Sequence, residues 1–208
     1  MTSVYLDPLA DPRIGIWSIL ILASGIVGSV LNFGAPVYNR TFFQGDIVAW
    51  GAVMSGYQAG ACLATLILPA LDTRLTDRSL LICCFTLVGL GFILLAIFTC
   101  LPLFAIVMAC LGCLFTLLAI FLMSRIQRDC AETRRGGVLS GLSALGGACL
   151  LAGISVGALV VQAGGVRLLF GFGAVLSVAA MLTACRLSYM PHAREGDGLK
   201  NRSVHLNQ

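Results

Sequence analysis

Three groups of residues in this sequence have types and spacings that could do chemistry. Gly153-Ile-Ser155-Val-Gly157 matches the Gly-x-Ser-x-Gly pattern that presents a nucleophilic serine on a sharp strand-to-helix turn. A serine needs an activating base within hydrogen-bond reach, and both histidines, His192 and His205, lie far off in the carboxy-terminal tail. The segment also sits inside a long apolar run with no strand before it, so Ser155 reads as a small packing residue and no catalytic residue is expected. Cys110-x-x-Cys113 has the spacing of a redox or metal motif, but no second pair and no histidines complete a ligand set. Both cysteines fall mid-run, where cysteine behaves as a small hydrophobe, so no metal and no cofactor is expected. The third group is Asn32, Tyr57 and Gln58, uncharged polar residues inside apolar runs. In lipid such groups need partners, which they could find by lining a watery cavity or by bonding helix to helix.

The elements that must position them follow from hydropathy. The chain of 208 residues is 59% hydrophobic and only 11% charged, against about 25% charged in a soluble domain. Its apolar runs are continuous and about 20 residues or longer, the length of a membrane-crossing helix rather than of an alternating barrel strand. The fold class is therefore all-α, a polytopic membrane helix bundle in the lipid bilayer with six transmembrane helices. The spans are expected at about 14–37, 47–71, 80–100, 103–124, 138–162 and 168–187. Residues 1–13 read as a polar cytoplasmic lead-in, in which no cleavable signal is visible, and residues 188–208 as a disordered cytoplasmic tail.

Orientation comes from the arginines. The stretch Arg125-Ile-Gln-Arg128-Asp-Cys-Ala-Glu-Thr-Arg134-Arg135-Gly136-Gly137 carries four arginines between two apolar runs, so it is expected to be a loop in water on the cytoplasmic side. With six spans, eleven of the thirteen basic residues share that side, leaving Arg40 and Arg167 opposite. The net charge of +4 is thereby explained by orientation, and no nucleic-acid partner is expected. Both termini are expected in the cytoplasm.

Small residues mark two helices for close packing. They are Gly51, Ser55, Gly56 and Gly60 in the second span, and Gly141, Gly153 and Gly157 in the fifth. Such stripes serve either a static bundle or a surface that slides against another bundle. No Asp, Glu, Lys, Arg or His lies deep in any span, so an intramembrane proton relay is not supplied here.

The layout resembles the carboxy-terminal half of a major facilitator superfamily transporter, most like the bacterial drug and siderophore exporters that include the enterobactin exporter group. The likeness covers about residues 13–187. Its most specific part is the arginine-rich stretch, where Gln127, Arg135, Gly136 and Val138 match the loop before the eleventh span of those carriers. Ala131 stands in place of a proline, and Gly137 in place of a second arginine. Asp77 and Arg78 match a degenerate copy of the family's short charged loop, without its leading glycine. The resemblance implies a half of the twelve-span fold in a bacterial inner membrane. It also implies a substrate path near the midplane carrying a small-molecule substrate, drug-like or siderophore-like, with Asn32, Tyr57 and Gln58 as path candidates. Asp77, Arg78, Gln127, Arg135 and Gly136 would then be gate candidates in the cytoplasmic loops. The expected partner is a second six-span half, either a missing amino-terminal half or another copy. The alternative is a six-span structural or regulatory membrane subunit with no substrate path.

Overall fold

The computed structural model describes residues 12–74, 76–130, 132 and 135–187; the carboxy-terminal tail, with both histidines and the lysine, and nearly all of the lead-in lie outside them. Among the described residues every regular element is helical. The helices are α1 (Pro12–Phe42), α2 (Ile47–Arg74), α3 (Asp77–Ile97), α4 (Leu101–Asp129) and α5 (Arg135–Leu187). All five are long and apolar enough to cross a membrane.

Most boundaries differ by a few residues from those expected of the sequence, and four of the differences bear on the site. The helix α1 runs beyond Val37 to Phe42 because the polar-looking Tyr38 and Asn39 are buried rather than turned to water. The helix α3 begins at Asp77, where the Thr76 hydroxyl accepts a bond from the Ser79 N–H and caps the helix. The arginine-rich stretch is not one loop: Arg125–Asp129 forms the last turn of α4, and Arg135–Gly137 the first turn of α5. Five residues, 130–134, connect them. An arginine at a helix end keeps its charge in water while its stem covers apolar surface, so helix and charge are compatible there.

The 53-residue α5 is two helical pieces joined at a kink. Gly164 (φ −153°, ψ 15°) and Gly165 (φ 77°, ψ 179°) leave the helical region, and only glycine adopts the second conformation readily. The chain reverses there. A β-carbon on Gly157 would lie 3.5 Å from Leu169, although twelve residues of straight helix would hold them about 18 Å apart. Gly153 and Gly157 face Ser29 and Phe33 of α1, while Leu169 and Gly173 face Gly34 and Val30. The first piece of α5 therefore runs parallel to α1 and the second antiparallel.

The α2–α4 pair is built on near contact of backbones. A β-carbon on Gly60 would fall 1.9 Å from the Ala109 carbonyl oxygen, and one on Gly112 2.1 Å from that of Tyr57. Larger residues would hold the helices apart, and the dispersion contacts that drive association in lipid would be lost. At one end of the bundle, Tyr38 is enclosed by Phe42, Phe43, Phe104 and Phe170, and its hydroxyl donates to the Phe98 carbonyl. That cluster gathers the α1–α2 turn, the α3–α4 turn and the start of the second piece of α5. In mid-bundle the buried Ser177 hydroxyl donates to the Phe85 carbonyl at 2.6 Å, tying α5 to α3.

Candidate functional site

Asn32 on α1 and Tyr57 on α2 border the same space. They line two neighbouring cavities of about 140 and 440 Å³. The smaller is also bordered by Pro36, Trp50, Met54 and Met108, and the larger extends past Phe115 and Thr116 of α4 to Gly146 and Leu150 of α5. Their depth is equal by count: Asn32 lies ten residues before Phe42, and Tyr57 ten residues after Ile47. At 1.5 Å per residue each sits about 15 Å from the α1–α2 end, half of a hydrocarbon core about 30 Å thick. Asn32 donates from its amide nitrogen to the Gly28 carbonyl at 3.0 Å. Gln58 is exposed and lines neither cavity.

The opposite end holds the charged residues. Asp77 at the start of α3 meets Arg125 near the end of α4 at 2.5 Å, and the same guanidinium lies 5.0 Å from the centre of the Phe121 ring. Beside it, Trp17 of α1 donates from its indole nitrogen to Asp129 at 2.9 Å and meets Phe121 edge-on. Two carboxylates thus tie α1 and α3 to α4. Arg78, Gln127 and Gly136 are exposed. Arg135 is half-buried, and among the described residues its enclosed Nε meets no hydrogen-bond partner.

Arg125 was not singled out from the sequence, although a signal for it exists. In an antiparallel pair, residues equally far from the turn share a depth. Asp77 is 22 residues before Thr99 and Arg125 is 26 after it, which brings opposite charges to one end of the α3–α4 pair. Of the small residues marked for packing, Gly56 and Gly60 face α4, and Gly153 and Gly157 face α1. A β-carbon on Gly51 would meet nothing within 4 Å, Ser55 is exposed and Gly141 is half-buried. Ser155 is exposed and donates to the Leu151 carbonyl. Among the described residues no group of three or more His, Cys, Asp or Glu is placed to hold a metal.

A family model described as the Major Facilitator Superfamily matches residues 17–205. The chain belongs to the major facilitator superfamily. As a major facilitator protein it is a multi-pass membrane protein of a family of transporters, and membership places its helices in the service of membrane transport. No curated protein and no solved structure matches the chain.

Proposed function

We propose that this major facilitator chain is one six-span half of a permease that exports a small amphipathic molecule. The observation that carries it is that Asn32 and Tyr57, from two helices, line one groove about 15 Å from the helix ends. Family members of this kind bind substrate near the midplane, between bundles. The kink at Gly164–Gly165 supports counting α5 as two spans, for six in all. Six spans leave both termini on the side of the Asp77–Arg125 pair, and the positive charge collected there supports a cytoplasmic assignment in a bacterial inner membrane. The faces of α2 and α5 are little covered by the rest of the bundle, which suits a second six-span bundle opposite the groove. Asp77, Arg78, Gln127, Arg135 and Gly136 remain the proposed gate set, with Arg125 added as the partner of Asp77.

The test is one-sided thiol labelling in a background lacking the nine cysteines. Asn32→Cys and Tyr57→Cys should react with a membrane-impermeant methanethiosulfonate added from one side, and Val53→Cys, fully buried in the α2 wall, should not. If Asn32→Cys and Tyr57→Cys are as protected as Val53→Cys, the groove is dry packing and the transport path is elsewhere.

A further inference from the structure

Pro36 lies inside α1, and it lines the same cavity as Asn32, Trp50 and Tyr57. Proline has no N–H, so the carbonyl of the residue four back loses its helical donor. That residue is Asn32. Residues four apart share a helix face, so the unclaimed carbonyl lies on the face that borders the cavity. The Asn32 side chain adds a second acceptor, because its amide nitrogen is turned back to the Gly28 carbonyl and leaves Oδ1. Trp50, Tyr57, Met54 and Met108 line the same cavity and give it aromatic rings and thioethers. Among the described residues no charged side chain lines either cavity.

We propose that this cavity is a subsite for a protonated amine carrying N–H donors on an aromatic or aliphatic body. The inference rests on the groove being the substrate path and names what that path selects. Ring faces attract a cation, and two oxygens without donors complete an ammonium that has N–H bonds to give. An anion finds no cationic partner here. A quaternary ammonium has the charge but cannot use the oxygens. The proline is then a specificity-determining residue for donors, acting through the carbonyl it leaves open.

The test compares two probes of equal charge and nearly equal body on the chain reconstituted in liposomes. Dansylcadaverine ends in a primary ammonium with three N–H donors, and its N-trimethyl derivative has none. Binding is read as energy transfer to the dansyl group in a Trp17→Phe background, where Trp50 is the sole indole. The primary ammonium should bind about tenfold tighter than the trimethyl probe, as a charge-assisted hydrogen bond predicts. Pro36→Ala restores an N–H for the Asn32 carbonyl and favours the helix, so folding is not put at risk. In that variant the primary ammonium should weaken to within about twofold of the trimethyl probe, whose own affinity stays as it was. Equal binding before the substitution, a preference that survives it, or equal loss of both probes would each overturn the acceptor role while leaving the groove as a binding site. Absence of transfer with either probe would remove the groove itself as a path, and the subsite with it.

Discussion

At the scale of single residues, a few glycines, Ser177 and Tyr38 fix how closely and where the helices of this bundle meet. Gly60 and Gly112 face backbone atoms that cannot swing aside, so Gly60→Ala should lower stability by about 1–3 kcal/mol through overpacking. Gly51→Ala, with open space around it, should stay within about 0.5 kcal/mol. Thermal unfolding in mild detergent checks both, and equal effects would show that α2 and α4 do not pack as described. Tyr38→Phe removes one bond between helix and turn, and should cost about 0.6 kcal/mol and at most about 1.7, because the ring keeps its four aromatic neighbours. A stripe of glycines is legible in sequence as a packing surface. Which member of the stripe touches a neighbour is not, since Gly51 and Gly60 look alike until the partner helix is in place.

At the scale of elements, the informative features are the turn inside α5 and the charged tie between α3 and α4. Gly165 occupies a conformation open almost only to glycine, so Gly165→Ala should cost about 1–3 kcal/mol, whereas Gly171→Ala, in open space within the same helix, should be neutral or slightly stabilising. For the tie, Asp77→Asn and Arg125→Gln should each lower the melting temperature slightly. In a double-mutant cycle their coupling should come to about 0.5–1 kcal/mol, small because Asp77 remains 41% exposed. Additive effects would mean that the pair is incidental. That the chain forms apolar helices of membrane length is legible because long apolar runs announce themselves. Their ends were not, because Tyr38, Asn39 and Arg125 are polar by type and buried or half-buried by placement.

At the scale of the whole molecule, an even number of crossings puts both termini on one side, and fluorescent or enzymatic tags at each end should report the same compartment. A carboxy-terminal tag on the far side would leave α5 a single span and remove the six-span count. Membrane residence, helical class and membership of a transporter family are properties of composition and of local order along the chain, and the sequence by itself determined them: a long apolar run must shield its own backbone polar groups in lipid, and only a helix does so alone. The tertiary structure decided what meets what. It set Asn32 and Tyr57 on one cavity and Asp77 against Arg125, left Gln58 outside the groove, and turned one 53-residue helix back on itself. The physical reason is that hydropathy records how each residue meets its solvent. Whether residues 25 positions apart share a cavity, or residues 48 apart an ion pair, depends on helix rotation, depth and direction, which are set only when all the helices pack together.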